Sequence, residues 1–585
     1  MKELVRRTIT SELCHQVDAG IPQAEMERHI RYLCEQIGVR MPGTPEEQLS
    51  ADYCANVIQD LGYEVEIEQV SYMAWAADGT RVEMVAPQAK PLRATWFSYT
   101  LPTPPEGIRA PVAYVGMENE EDWSEASGRI AIVGRKITTS PGRRDFIGRA
   151  HAAGAVGYLE FCTAIPSNLP KVGNAASFFT GRREPLMPSD LPPLPAASIS
   201  VDDVEEIRRL LAAGNSVDLR LVIGPKDGKL LVWRTSPNVI GTVHGTDLAD
   251  EIVYIIGHHD ANVIGAHDNA SGVASVLATA RWLKESGHRP RRTIRLFMPG
   301  CEQFGLVGST VHVNQNPDVM ARTVFAMDWG AVGDGDAMWV DRTPDTATLF
   351  DHVLASTGYA QRIPTVTQAP AVASDHAGFL WRAGIPACEL HFREFQYLFT
   401  IYDDPAHINM DRARQSAVLG ALAALAFANQ GPLPLDFAGC ATELRQTIQK
   451  LSSYDTGLYR GADLVAAVDD LGVIGSQINS LATRIAGDRS RLSALNLALR
   501  AASRMVDPRL TGEFKLLPVL QRLLTDHQEV TALGRHMPRR LVEQTNVLQK
   551  IVIQRDLLVT EIQTESSGAI SAINEATNAL RQALA

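Results

Sequence analysis

Apolar and polar positions follow four successive rhythms along this chain. Over Ala51–Leu61 the apolar positions repeat at helical spacing, after a turn in which Thr44 caps and Pro45 occupies the first helical position. Gly62–Val70 then alternates like a half-buried strand. At Leu101-Pro-Thr-Pro-Pro105 the pattern breaks, too rich in proline for a helix. Short strand and helix signals follow it. Ser127–Val133 reads as a turn and strand, Asp145–Ala153 as a helix, Gly154–Phe161 as a buried strand, Leu194–Val201 as another, and Val204–Leu211 as a helix. The third rhythm opens with Pro237–Gly245, an edge-like strand, followed by the wholly apolar Ile252–Ile256. A helix after Asn269 carries Val273, Val276, Leu277, Ala280 and Leu283 on one face, and Thr293–Met298 reads as the next strand. Strands alternating with helices predict a doubly wound mixed α/β sheet. Beyond about Leu435 strand signals stop, and long amphipathic stretches such as Ser490–Arg500 and Leu541–Ile562 predict an all-α unit. The expected division is 1–95, 96–228, 229–435 and 436–585, with the second segment inserted into the α/β domain.

Composition narrows the class. The 585 residues exceed what one core organises, and 45% hydrophobic with 21% charged residues is ordinary for a globular protein. A net charge of −12 argues against nucleic acid or an anionic membrane as partner. Seven cysteines, at 14, 34, 54, 162, 301, 388 and 440, form neither a disulfide framework nor a paired zinc motif, which predicts a reducing, cytoplasmic setting. The first residues lack the apolar core of a signal peptide, and no run has the roughly 20 apolar residues of a membrane span.

The chemistry is concentrated in Gly257-His258-His259-Asp260 through Gly265-Ala-His267-Asp268-Asn269-Ala-Ser-Gly272. An imidazole and two carboxylates directly after a buried strand lie where a parallel sheet collects its ligands. His258 reads as a metal ligand, Asp260 as the carboxylate that orients it, and Asp268 as a bridge between two ions. Three further positions follow in compatible order: Cys301-Glu302-Gln303-Phe304-Gly305-Leu306, Met327-Asp328, and His407-Ile-Asn-Met-Asp411, the last preceded by Ser374-Asp375-His376.

In this order the chain, from about Arg40 onward, resembles the zinc exopeptidases of the aminopeptidase Y and glutamate carboxypeptidase type, and their non-enzymatic relative the transferrin receptor. The resemblance implies that residues 96–228 are a protease-associated insert roofing the site, and that 436–585 form a helical dimerisation domain giving a homodimer. It implies zinc, one or two ions per chain. One ion would take His258, Asp328 and the bridging Asp268. The other would take His407, Asp268 and position 303. Glu302 would be the general base and acid, with Tyr397 or Tyr402 as a further donor to the oxyanion. His259 and His267 are expected as neighbours of the site, His376 as support for its wall, and Cys301 as a packing residue.

Position 303 departs from the family pattern, since Gln303 stands where a second glutamate belongs. An amide has a carbonyl oxygen but no charge, so weaker affinity at the His407 site or a single ion is expected, unless Glu389, His391 or Asp375 substitutes. Three functions follow: an exopeptidase acting on a peptide or small amide, a one-metal amide-processing enzyme such as a cyclase or amidase, or a non-catalytic binding protein. A carboxypeptidase needs a cation for the substrate carboxylate, for which Arg182, Arg183 and Arg393 are candidates. Manganese or cobalt would suit the same carboxylate and imidazole ligands.

Overall fold

The structure is a computed structural model that describes all residues except 76–78, 119, 137–142, 172, 175–190, 225–230, 369, 371–373, 394–395, 452–460, 511–544 and 585. Its larger sheet has eight strands, here β1 (Glu64–Trp75), β2 (Leu231–Val243), β3 (Ile252–Ile256), β4 (Thr293–Met298), β5 (Thr323–Trp329), β6 (Ala337–Arg342), β7 (Thr365–Gln368) and β8 (Ala387–Arg393). Their spatial order is β1-β2-β4-β3-β5-β8-β6-β7. The central four run parallel, with β3 between β4 and β5 and β8 beyond β5. Antiparallel strands flank them, β2 on β4 and β6 on β8. This is the expected doubly wound mixed sheet, and β3 is buried along its whole length as its unbroken apolar run requires.

Two local readings shift. Pro237–Gly245 does not lie at an edge: β1 pairs with β2 from Glu64↔Thr242 to Trp75↔Leu231 and takes the outer position itself. The first half of β1 reflects that place, with Glu64 and Glu66 towards solvent, whereas Glu68 is held by Asn238, His312 and Asn316. The chain also crosses to a second sheet between Trp75 and Arg81, ahead of the proline-rich stretch.

That second sheet has nine strands and lies within residues 81–222. Its middle is a parallel set of Ile108–Met117, Ile130–Arg135, Gly157–Cys162 and Ala196–Ile199. The core beneath it also takes in Cys301 and Phe304 of the larger unit, together with Tyr72, Ala74 and Trp75 from the end of β1. Helices cover the larger sheet. Ser271–Glu285 is buried through most of its length, and Met410–Asn429 lays an alanine-rich face on β5. Helices Phe437–Leu451, Gly461–Ile485, Arg489–Leu510 and Thr545–Leu584 make up the described C-terminal segment and pack on one another. Among the described residues no helix is long and apolar enough to cross a membrane.

Candidate metal centre

Register brings the chemistry together. Ile256 pairs with Phe297 on one side and Asp328 on the other, so the carboxyl ends of β3, β4 and β5 open on one crevice. His258, Asp260, Asp268 and Asp328 lie in it almost fully buried, and Glu302 is about nine-tenths buried.

His258 is fixed from both sides. Its Nδ1 lies 3.1 Å from the Asp260 carbonyl and 3.4 Å from Asp260 Oδ1, while Nε2 lies 3.0 Å from Asp268 Oδ1 and 3.6 Å from Glu302 Oε2. With Nδ1 held by Asp260, Nε2 is the nitrogen that faces the Asp268 and Glu302 carboxylates, and it is the one a metal ion would take in place of a proton. Burial works to discharge His258, but Glu302, Asp260 and Asp268 outweigh it and hold its proton affinity well above the ordinary value. Asp260 has a second task. Its carboxylate accepts the backbone N–H groups of Glu302 (3.1 Å) and Gln303 (3.0 Å), so one side chain orients both the imidazole and the turn of the predicted base.

The loop from His258 to Asp268 rests on Arg40, which the sequence showed only as the start of a turn. Arg40 is fully buried, and its guanidinium donates to the carbonyls of His259, Ile264 and Gly265, besides Leu33 and Gly38, at 2.8–3.1 Å. At the far end Asn269 locks the turn, donating to Trp329 O and accepting from Gly272 N–H. Gly272 is needed there because a Cβ would meet Asn269 Oδ1 at 2.4 Å and Trp329 O at 2.5 Å. Asp268 is thereby held against the end of β5.

Glu302 projects from a turn flanked by two left-handed non-glycine residues, Cys301 (φ 54°) and Leu306 (φ 59°). Burial raises its proton affinity well above the carboxylate range. His258 opposes this, and Asp268 and Asp375 add to it. Beneath the turn, Glu47 accepts from the Ser236 hydroxyl at 2.5 Å and the Cys301 N–H at 3.3 Å. Burial, with Asp260 nearby, pushes Glu47 up to about 8.

Asp328 takes the His376 N–H on Oδ2 at 2.9 Å, with His376 Nδ1 at 3.3 Å, which gives His376 its expected supporting place. Among the described residues, Asp328 Oδ1 and both oxygens of Asp375 are buried with no hydrogen-bond partner at ordinary geometry. Burial and the neighbouring Asp328 push Asp375 up to about 7. Five buried carboxylates around one imidazole, three of their oxygens unmatched, fit a divalent cation held by nitrogen and oxygen ligands.

Position 303 is engaged otherwise. Gln303 Nε2 donates to Asp268 Oδ2 at 2.7 Å, and Gln303 Oε1 accepts from Asn262 Nδ2 at 2.9 Å. A carboxylate can only accept, so the amide nitrogen must face Asp268 and the carbonyl turns away from it. His407 is one-third exposed, 2.9 Å from Asp404 Oδ1 and beside the rings of Tyr397 and Tyr402. Among the described residues it makes no hydrogen bond to Asp268 or Gln303. The residue of this segment that reaches the Asp268 turn is Asp403, fully buried, which accepts from His267 N–H at 2.7 Å and lies 2.9 Å from His267 Nδ1. Chain order alone gave no means of choosing between positions 403 and 407.

Glu389 and His391 stand one strand further on with Asp341, their donor atoms within 4.8 Å of one another, and Glu389 Oε2 is 3.6 Å from His376 Nδ1. Arg182 and Arg183 lie outside the described residues, as does the side chain of Arg393.

The chain matches the model described as peptidase family M28 over residues 238–423. It is 25% identical over 358 residues to an Arabidopsis thaliana protein named probable glutamate carboxypeptidase, covering 55% of this chain and 52% of that one. It is 26% identical over 284 residues to carboxypeptidase Q of Rattus norvegicus, covering 48% and 58%. The chain thus spans little more than half the length of these curated relatives. Among solved structures, a peptidase M28 precursor from Shewanella amazonensis superposes with a TM-score of 0.61 at 23% identity, covering 72% of this chain and 96% of that one. A zinc aminopeptidase from Bacillus subtilis does so at 0.53 and 23%, covering 69% and 94%. At that identity the last two speak for the fold.

Proposed function

We propose, from the match of residues 238–423 to the peptidase family M28 model, that this protein is a zinc-dependent exopeptidase hydrolysing a terminal peptide bond or a small amide. The observation that carries the reading is the convergence of His258 and Asp268, which follow β3, with Asp328 at the end of β5 and with Glu302, which follows β4, 3.6 Å from His258 Nε2.

The metal ligands in this reading are His258 Nε2, Asp268 and the unmatched Oδ1 of Asp328. A zinc ion there supplies Lewis-acid polarisation of the carbonyl and an acidified water. Glu302 accepts the water's proton and returns it to the leaving amine, and its raised proton affinity suits a group that must hold the proton between the two transfers. Asp260 keeps His258 in the tautomer that leaves Nε2 free and keeps the Glu302 turn in place. Tyr397 and Tyr402 remain candidates for contact with the oxyanion, and Asp375 adds to the raised proton affinity of Glu302.

One ion is the occupancy the Gln303–Asp268 bond favours. The amide occupies Asp268 Oδ2 with a donor, and the carbonyl that might ligate is given to Asn262. His407 belongs to the second site only if the 403–407 segment rearranges. This same bond favours a second reading, single-ion amide chemistry of the cyclase or amidase kind. It also keeps open a binding protein without turnover. For the C-terminal helices we propose a dimerisation role, and for the seven buried, unbridged cysteines a reducing, cytoplasmic compartment.

The test is metal content by mass spectrometry together with hydrolysis of a peptide library, on wild type and Glu302→Gln. The reading expects one zinc per chain in both proteins, and turnover in the wild type alone. Equal turnover in both would remove Glu302 from the chemistry. Zinc-loaded wild type without turnover would favour the binding protein.

A further inference from the structure

The inserted unit contributes more than a roof. Its apolar core, built from Val82, Met84, Leu92, Tyr99, Ile199 and others, also encloses Cys301 and Phe304 of the turn that carries Glu302. Phe304 is 2% exposed, and the Tyr99 ring meets it edge-on with centroids 5.5 Å apart. Tyr72, on the strand that leads into the insert, approaches it at 6.2 Å. Tyr99 is itself anchored, its hydroxyl donating to Met73 O at 2.8 Å, and Trp75 donates to Thr100 O at 3.1 Å.

The turn needs such an anchor. Cys301 and Leu306 both adopt left-handed backbone, which costs a residue with a side chain about 1 kcal/mol each and persists only where surroundings enforce it. On the peptidase side the enforcement is polar: Asp260 takes the N–H groups of Glu302 and Gln303, and Glu47 takes that of Cys301. On the insert side it is apolar and falls on Phe304, two residues from Glu302.

We propose that Phe304 is a positioning residue through which the insert holds the Glu302 carboxylate in the centre, so that the insert's seating governs the base. The role in turnover rests on the peptidase reading above, whereas the mechanical coupling does not. A base displaced by about 1 Å loses on the order of a hundredfold in rate.

The experiment compares wild type with Phe304→Ala, Phe304→Leu and, from the insert side, Tyr99→Leu, each checked for a cooperative thermal transition and for zinc content. Hydrogen exchange followed by mass spectrometry over residues 299–308 reads the coupling without any substrate. Phe304→Ala and Tyr99→Leu should speed exchange there by about tenfold or more, with Phe304→Leu close to wild type. If a substrate is in hand, Phe304→Ala should lower kcat by about a hundredfold with KM and zinc content little changed, and Phe304→Leu should recover most of it. Unchanged exchange in Phe304→Ala and Tyr99→Leu overturns the proposal whether or not the wild type hydrolyses peptides. Faster exchange beside an inert wild type leaves the coupling standing and removes only the peptidase reading.

Discussion

Gln303 Nε2 donates to Asp268 Oδ2 across 2.7 Å, filling with a protein proton the oxygen that a bridging carboxylate would offer to a second ion. Gln303→Glu should therefore create a demand for that ion. Two carboxylates this close cannot both ionise without a cation between them. In chelator the variant is expected to unfold at lower temperature than wild type. With added zinc it should regain more than wild type does, and its content should rise from one ion per chain to two. Mass spectrometry of dialysed protein decides it. A ratio fixed at one, with no extra zinc-dependent gain, would show that Asp403 and His267 close the second position whatever stands at 303.

Among the described residues Arg40 donates to backbone carbonyls alone, and three of them lie in the loop between His258 and Asp268. Arg40→Met would keep much of the volume but strand several buried acceptors at about 1–3 kcal/mol each, less whatever relaxes. A loss of at least about 3 kcal/mol in denaturant unfolding is expected. Arg40→Lys should recover little, since a point charge cannot span the guanidinium's fork. Zinc affinity should fall in both variants, as His258 and Asp268 lose their fixed separation. Wild-type stability in Arg40→Lys would contradict the clamp.

The ease of reading this site from sequence followed the range of the interactions. His258, Asp260 and Asp268 lie within one strand-loop-helix unit, where buried apolar positions followed by small residues set the geometry locally. Glu302 and Asp328 were legible because a parallel sheet brings strand ends together without regard to what separates them in sequence. Arg40, Glu47, Asn262 and Asp403 act by hydrogen bonds that cross from other segments, and a lone arginine or carboxylate in a loop carries no periodic mark. The amide of Gln303 was visible as a departure, yet its orientation depended on Asn262, forty-one residues earlier. The insert was expected as a roof. Its contact with Phe304 was hidden because an aromatic beside the Glu302 turn looks the same in sequence whichever core it enters.

Dimerisation through the C-terminal helices has a specific expected signature. Val473 and Leu497, on helices Gly461–Ile485 and Arg489–Leu510, are 57% and 61% exposed. Single exposed apolar residues are ordinary, so the mass in solution decides. Light scattering at micromolar concentration should give twice the chain mass, and Val473→Asp with Leu497→Asp should halve it without altering the thermal midpoint. A wild-type mass of one chain ends the dimer proposal.

Glu25 provides a pH test far from the metal. Its carboxylate lies 2.9 Å from His29 Nε2, 2.6 Å from Arg28 and 2.8 Å from Arg281, and it is largely buried. The His29 hydrogen bond, helped by Arg28 and Arg281 and opposed by burial, holds it well below its ordinary 4.5. A carboxyl whose folded value is depressed adds stability above its unfolded value and loses it as pH falls through the folded value. Because both arginines are substantially exposed, the contribution at pH 7 should be about 1–2 kcal/mol after screening. Glu25→Gln should cost that much at neutral pH, and the gap between the two proteins should start to close below about pH 4.5. Burial keeps His29 neutral at pH 7, so its Nε2–H can donate to Glu25 while Tyr53 donates to Nδ1 at 2.6 Å. Urea unfolding from pH 3 to 8 gives both curves. A gap of constant size down to pH 3 would mean that packing, and not the charge of Glu25, sets its contribution.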